Sequence, residues 1–333
     1  MNHQPKNLLV TGGAGFIGSN FVHYLLAHDS EVRIVNLDAL TYAGSMENLR
    51  ELPDASRHVF VHGNICDREL VRRLVREYAI DTVVHFAAES HVDRSISGPR
   101  AFVETNVSGT CTLLEACREY WQQQGWGAQR CRFHHISTDE VYGTLGPDDA
   151  PFTEATPYAP NSPYSASKAA SDHLVRAWFH TYKLPVVTTN CSNNFGPRQH
   201  AEKFIPTVIR ACLEQKPIPV YGDGSNIRDW LYVEDHCKGI DRVLRGGRLG
   251  ETYNIGGGNE HSNIDIVRLI CQLMDDTRPA GAPHENLIRF VADRPGHDWR
   301  YAIDAGKLAR ELRWPRIRNF ESELGVTVAW FAH

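Results

Sequence analysis

No apolar run in the 333 residues reaches the length of about 20 that a bilayer-spanning helix needs. The opening, Met1 to Lys6, is polar and has no signal-type apolar core. Eight cysteines, at 66, 111, 117, 131, 191, 212, 237 and 271, form no C-x-x-C pair and no zinc-ligand spacing. They read as reduced thiols of a cytoplasmic protein, none of them catalytic. Excess charge is also missing. Thirty-five Lys and Arg against 40 Asp and Glu leave a formal net charge of −5, which gives no reason to expect nucleic acid. An anionic small ligand would need a local basic pocket. His85 and His91 lack a third ligand at useful spacing, so no metal is expected. Internal repeats and low-complexity stretches are absent.

What is present is enough length and apolar content for one large or two smaller domains. Asn7 to Thr11 reads as a short buried strand, followed at once by Gly12-Gly13-Ala14-Gly15-Phe16-Ile17-Gly18. The spacing satisfies both G-x-x-G-x-x-G and G-x-G-x-x-G. Glycine is required where the turn is tight, where backbone meets pyrophosphate and where helix packs on strand. An amphipathic helix with Phe21, Val22, Leu25 and Leu26 follows, which is the context of a dinucleotide site.

A second strand, 32–37, ends at Asp38, twenty residues beyond Gly18. A carboxylate there bonds both ribose hydroxyls and repels a 2′-phosphate, which points to NAD rather than NADP. A third strand, His58 to His62, precedes Asn64 and Ile65, which would flank the adenine. A fourth, 82–86, runs into Ala87 and Ala88, small enough for a cofactor to approach the backbone. A helix over about 100–124, a fifth strand over 132–136 and a sixth over 186–190 complete the alternation. The fold class is α/β, a doubly wound parallel Rossmann-type sheet with a smaller C-terminal substrate-binding lobe. The boundaries are 1–195 for the NAD-binding domain and 196–333 for the lobe, with segments near 228–257, among them Trp230 to Val233, returning to the larger body.

Tyr164 and Lys168 stand four apart and share a helix face. Ser162 suits the N-cap and Pro163 the first helical position. A phenol with a reference pKa of about 10 is a poor base. The lysine ammonium, the helix dipole and a cationic nicotinamide each favour the phenolate. The pair reads as a base that takes a hydroxyl proton while hydride leaves the same carbon. Thr138-Asp139-Glu140 ends the fifth strand. Neighbouring side chains diverge in extended chain, so a local turn is needed to aim both carboxylates at one ligand. Arg198, Lys203, Tyr221, Arg228, Arg294 and His297 make a phosphate-binding lobe plausible in an acidic protein.

Together, the glycine motif, Asp38, Tyr164 and Lys168 resemble the extended short-chain dehydrogenase/reductase superfamily. Segments 37–44, 87–96, 137–143, 163–168, 228–236 and 293–298 resemble the dTDP-glucose 4,6-dehydratase family within it, over about residues 7 to 330. Thr138-Asp139-Glu140 is the most specific match. The resemblance implies NAD-dependent dehydration of a nucleotide sugar, dTDP-glucose, by a homodimer paired through helices near 100–124 and 164–182. It implies that Thr138 and Tyr164 address the C4 hydroxyl and that Lys168 holds the nicotinamide ribose. Asp139 would be the acid at C6 and Glu140 the base at C5. Implied cofactor positions are Gly12, Gly15, Phe16, Ile17, Gly18, Asp38, Ala39, Leu40, Thr41, Asn64, Ile65, Phe86, Ala87, Ala88, Glu89, Ser90, Thr105 and Asn194, with Tyr164 and Lys168. Implied substrate positions are Ser90, Thr138, Asn193, Lys203, Phe204, Pro219, Val220, Tyr221, Arg228, Asn263, Asp293, Arg294, Pro295, Gly296 and His297.

One loop departs from the family pattern. Phe195-Gly196-Pro197-Arg198-Gln199-His200-Ala201-Glu202-Lys203 stands where Tyr-Gly-Pro-Tyr-His-Phe-Pro-Glu-Lys is usual, which puts a new cation, Arg198, in a substrate loop. A 4-epimerase with the same Tyr-Lys pair is the first rival reading, but it has no use for acid-base groups at C5 and C6. A non-catalytic NAD-binding regulator is the second, and the intact Tyr164, Lys168 and basic lobe count against it.

Overall fold

The computed structural model describes residues 2–293, 298–315 and 319–332. Its centre is a seven-stranded sheet with every neighbouring pair parallel. The strands are β1 (Asn7–Thr11), β2 (Arg33–Asp38), β3 (His58–His62), β4 (Thr82–His85), β5 (Arg132–Thr138), β6 (Val186–Cys191) and β10 (Thr252–Ile255). Their order is β10-β6-β5-β4-β1-β2-β3. Both faces of a parallel sheet are covered by helices, so its strands are near-continuous apolar runs. In β1, Leu8 and Val10 face one layer and Leu9 the other, following the two-residue period of a strand. The first layer holds α1 (Phe16–His28) and α8 (Val233–Gly246), through Phe21, Val22, Leu25, Ile240 and Leu244. The second holds α2 (Arg68–Glu77), α5 (Thr110–Gln123) and α6 (Pro163–Tyr182), through Val71, Leu74, Leu113, Trp121 and Val175.

From β1 the chain winds outward through β2 and β3, then crosses back to β4 and winds the other way. Open α/β sheets bind ligands at the carboxyl ends of strands where the winding reverses. That crevice lies between β1 and β4.

A smaller lobe packs α7 (Phe204–Leu213), α9 (Asn263–Thr277) and α11 (Phe320–Ala332) around Phe195, Ile209, Trp230, Ile266 and Leu324. It carries β7 (Asn193–Phe195), β9 (Ile227–Tyr232) and β11 (Glu260–Ser262) as one sheet, and β8 (Ile218–Tyr221) with β12 (Ile288–Val291) as another. The segment Trp230 to Val233, expected to rejoin the larger body as a strand, does so only in part. Trp230 and Tyr232 pack into the lobe core, while Leu231 and Val233 pack into the first layer under the main sheet. β9 is therefore a seam whose alternating faces bind two cores, and the chain rejoins the main sheet through α8 and β10.

The long helix expected over about 100–124 is present as a continuous helical run from Pro99 to Gln123, but its hydrogen bonding widens partway along. Short helices α3 (Val92–Ser97) and α4 (Pro99–Phe102) lead into a π-helical turn, Val103–Gly109, before α5. Pro99 starts a new helix because it lacks an N–H. Within the turn, Asn106 is held from outside the helix. Its amide donates to Glu89 O (3.0 Å) and Ser167 Oγ (2.8 Å) and accepts from Glu89 N (2.8 Å). Such single-turn widenings gather at functional sites.

As expected, Ser162 caps α6, and the structure shows that the cap is a reciprocal capping box. Ser162 Oγ accepts from Ser165 N at 3.0 Å, Ser165 Oγ accepts from Ser162 N at 3.0 Å, and Pro163 occupies the first position. Ser162→Ala removes the side-chain acceptor and should lower stability by about 1 kcal/mol, read from the urea midpoint. An unchanged midpoint would show that the box contributes nothing beyond helix propensity.

Candidate active site

A cavity of about 330 Å³ opens at the carboxyl ends of β1, β4 and β5. One end is built by the glycine turn. Gly12 has φ +72°, and a Cβ there would sit 2.6 Å from Ala87 N, so only glycine lets the β1 turn lie against the β4 turn. A Cβ at Gly18 would meet Gly12 O at 2.3 Å, which is the close helix–strand contact expected of the third glycine. Among the described residues no side chain caps α1, and Gly15, Phe16, Ile17 and Gly18 line the cavity, so its first N–H groups are placed to bind an anion. Asp38 Oδ2 accepts from Ala14 N (2.9 Å) and Oδ1 from Leu40 N (2.8 Å), which fixes the carboxylate between the glycine turn and the following loop. Ala39, Thr41, Asn64, Ile65, Phe86, Ala87, Ala88, Glu89, Ser90 and Thr105 continue the wall. Leu40 does not; at φ +48° it packs against the first apolar layer, and its N–H is bound to Asp38. This cradle fits a dinucleotide.

At the other end β5 delivers Thr138, and the chain at once tightens into a 3₁₀ turn, Asp139–Tyr142. This is the local turn that two adjacent carboxylates require. Thr138 Oγ1 caps it, accepting from Glu140 N at 3.3 Å, and donates to Asp139 Oδ1 at 3.4 Å. Asp139 is 2% exposed, and its Oδ2 is buried without a partner among the described residues. Burial, then Glu140, then Asp229 push its carboxyl well above the usual carboxylate range. Asp139 is thus biased toward its protonated form, while Glu140 is half-buried on the same wall.

Tyr164 and Lys168 project from the first turns of α6 into the same cavity. Lys168 Nζ donates to Ile136 O at 2.7 Å, which ties α6 to β5. Burial pulls its pKa down against the pull of Asp172 and Cys191. Tyr164 differs from expectation. Burial, Glu140 and Cys191 hold its hydroxyl well above the ordinary value of 10.0, and the bond to Thr138 only partly offsets this. The chain alone keeps it a phenol; a cationic nicotinamide supplies the opposing charge when bound.

The remaining positions are distributed unevenly. Asn193, Asn194 and Lys203 line the cavity. Asn193 Oδ1 is a buried acceptor without a partner among the described residues, whereas Asn194 is fixed by His236 Nδ1 (2.9 Å) and Ser192 O (2.9 Å). Phe204 stacks on Trp230, and Asn263 opens α9. β8 exposes Pro219 and Tyr221 and buries Val220, so Val220 offers a ligand only its backbone. Asp293 lies exposed near Gly222. Arg294, Pro295, Gly296 and His297 fall outside the described residues.

Two arginines differ in placement. Arg228 is 6% exposed; it donates to Ile227 O (2.7 Å), Asp298 O (3.0 Å) and Trp299 O (3.3 Å), and lies 4.5 Å over the Tyr301 ring. Its charge opposes the upward shift of Asp139. Arg198, at φ +69°, turns away from the cavity toward Asn20 Oδ1 (3.1 Å) and the Trp330 ring (5.1 Å). Gln199 and His200 take the wall beside Lys203 instead.

Cys191, Ser192 and Asp229 were not singled out for the site from sequence, although Cys191 and Ser192 line the cavity and Asp229 acts on Asp139. Position at the end of β6 was the available signal for the first two. Burial and Asp139 push the Cys191 thiol up, so it is no nucleophile.

The family profile described as GDP-mannose 4,6 dehydratase matches residues 9–325. A dTDP-glucose 4,6-dehydratase of Xanthomonas campestris pv. campestris (strain B100) is 59% identical over 326 residues, 97% of this chain and 92% of the relative. The dTDP-glucose 4,6-dehydratase of Streptomyces venezuelae, crystallised with NAD and TYD bound, superposes with TM-score 0.88 at 48% identity, covering 98% of this chain and 96% of the other. A UDP-glucose 4-epimerase of Thermotoga maritima superposes nearly as well, at 0.86, but at 26% identity, covering 98% of each chain.

Two measurements check the electrostatics. Asp38→Asn removes the charge that opposes a 2′-phosphate, so NADP-supported turnover of cofactor-stripped protein should rise relative to NAD. An unchanged ratio would remove Asp38 from cofactor choice. Asp139 holds in the folded chain a proton that the unfolded chain releases above 3.8. Its contribution to stability is complete below that pH and is lost as pH rises toward the folded pKa. Asp139→Asn should therefore gain stability relative to the parent between about pH 4 and about pH 8. Parallel urea midpoints at both pH values would contradict a raised Asp139 carboxyl.

Proposed function

The chain belongs to the GDP-mannose 4,6-dehydratase family, and we propose that the site just described carries out the 4,6-dehydration of dTDP-glucose. It is an NAD-dependent hydro-lyase, yielding the 4-keto-6-deoxy sugar nucleotide and water with no net change in cofactor. The observation that carries the residue assignment is the adjacent pair Asp139 and Glu140, one buried with its pKa raised, the other half-buried, on one wall with Tyr164.

NAD, held by the glycine turn, Asp38 and Lys168, supplies the oxidant at C4 and the reductant at C6. Tyr164 takes the C4 hydroxyl proton, with the Thr138 hydroxyl bonded to its oxygen. The C4 ketone acidifies the C5 proton, which Glu140 removes. Asp139 gives its proton to the C6 hydroxyl, which leaves as water. Groups of opposite protonation state are needed at C5 and C6, and burial raises the Asp139 carboxyl in the sense an acid at C6 requires. After Glu140 returns its proton to C5, Tyr164 is one proton richer and Asp139 one poorer. Thr138, which bonds to Asp139 and lowers the pKa of Tyr164, is the shortest path for resetting them.

Lys203, Asn193 and Arg228 are our candidates for the diphosphate and sugar, with Phe204, Pro219, Tyr221, Asn263 and Asp293 toward the nucleotide. Residues 1–195, with returning segments near 228–257, serve as the NAD-binding domain and 196–333 as the nucleotide-sugar lobe. A homodimer would use the helices near 100–124 and 164–182, where Val103 and Tyr182 stand exposed. Eight free cysteines fit a cytoplasmic setting.

Tyr164→Phe should abolish appearance of reduced nicotinamide on substrate addition. Asp139→Asn and Glu140→Gln should still produce it yet form product about 10²–10⁴-fold more slowly. Deuterium at substrate C4 should reappear at C6 of the same molecule, with solvent deuterium at C5, by NMR. Return of the label to C4 with C6 still hydroxylated would make the protein an epimerase.

A further inference from the structure

Behind the Tyr-Lys pair lies a carboxylate that the dehydration scheme leaves idle. Asp172 is one helical turn beyond Lys168 on α6 and 6% exposed. Three consecutive residues of β5 divide between the two side chains. Ile136 O accepts from Lys168 Nζ (2.7 Å), Ser137 Oγ donates to Asp172 Oδ2 (2.8 Å), and His135 Nε2 lies 3.0 Å from Asp172 Oδ1. Tyr158 OH donates to Oδ2 as well, at 2.9 Å.

Apart from Lys168, the groups facing Asp172 carry little positive charge. His135 is kept neutral by burial and by Lys168, so its approach is not an ion pair. The Tyr158 hydroxyl is driven upward by burial and Asp172 and remains a phenol. On the helix itself His173 adds a minor attraction. From β6, Cys191 faces Lys168 as a protonated thiol.

An isolated buried ammonium is costly, and loss of its proton is the usual relief. We infer that Asp172 is a positioning residue for the reaction, a fixed buried anion one turn along the same helix face that favours the cationic form of Lys168, so that Lys168 can favour ionisation of Tyr164. This rests on the reading of Tyr164 as the C4 base. Burial raises the Asp172 carboxyl to about 6, so it is anionic at neutral pH and above. Nothing in its surroundings requires it to touch substrate, and it stands apart from the cavity wall.

The test follows the single-turnover rate of nicotinamide reduction against pH. On this inference the parent's rate should fall on the alkaline side as Lys168 loses its proton. Asp172→Asn keeps the shape and removes the charge, so the alkaline limb should move down by about one pH unit or more. Asp172→Glu should restore it. Tyr158→Phe, which deletes a hydrogen bond to the carboxylate and leaves its charge, should not move it. Should the amide variant fail to fold, Asp172→Ser reads the same limb. A limb that stays in place in a folded neutral variant, with only the rate lowered, overturns the inference and leaves Asp172 a packing residue. Reduction that persists in Tyr164→Phe overturns the base assignment instead, so the two failures are distinguishable.

Discussion

The site depends on one buried contact, the Lys168 ammonium against the carbonyl of Ile136. Residue 136 belongs to the central strand β5 and residue 168 to the helix packed on that sheet, so this bond sets the rotation and height of α6. Tyr164, one turn earlier, is carried with it to Thr138, two residues beyond the anchor on the same strand. The capping box at Ser162 determines where the helix starts, and the carbonyl of Ile136 determines how it lies on the sheet. Neither is adequate alone, because a correctly started helix could still slide along the strand.

Burial then assigns chemistry to residues of similar type. Asp139 and Glu140 are neighbours in sequence, yet the 3₁₀ turn sends one into the protein and leaves the other half-buried. Burial, then Glu140 and Asp229, raise the Asp139 carboxyl, with Arg228 opposing. Lys168, Tyr164 and Asp172 are shifted by the same desolvation, in directions set by which form carries charge. The chain thus stores a high phenol, a strained ammonium and a raised carboxyl within one cavity. A cationic ring in that cavity acts on all three through a low-dielectric medium, where charge interactions are least screened.

What could be read from sequence was what spacing encodes locally. The glycine turn, the Asp38 offset, the Ser162 cap and the Tyr164–Lys168 pair are each fixed by neighbours within a turn or a strand. Features closed by distant partners were not legible in this way. The π turn depends on Asn106 reaching Glu89 and Ser167, and the seam in β9 depends on two cores that local periodicity cannot tell apart. Arg198 was expected to enter a substrate loop, but its left-handed backbone turns it toward Asn20 and Trp330. Arg228 is likewise bound by carbonyls of a segment some seventy residues away. Asp172 was visible as a residue four beyond Lys168. Its significance needed the parallel strand that presents Ile136, Ser137 and His135 together.

Fold and chemistry separate at the end of β5. A Rossmann body with a Tyr-Lys pair can oxidise a sugar hydroxyl whatever reaction follows, so neither the sheet nor α6 determines the product. The 139–142 turn is the point of difference. Epimerisation needs the ketone to rotate and be reduced from its other face, and a site for it requires room and no acid near C6. Dehydration needs the sugar held in one orientation while a proton is taken at C5 and another given at C6. A buried acid with an unpartnered oxygen serves the second requirement and is a liability for the first, because an unsatisfied carboxyl costs stability. The elimination proposed here gives such an acid at Asp139, with its cap at Thr138 and counter-charge at Arg228, a use that epimerisation does not.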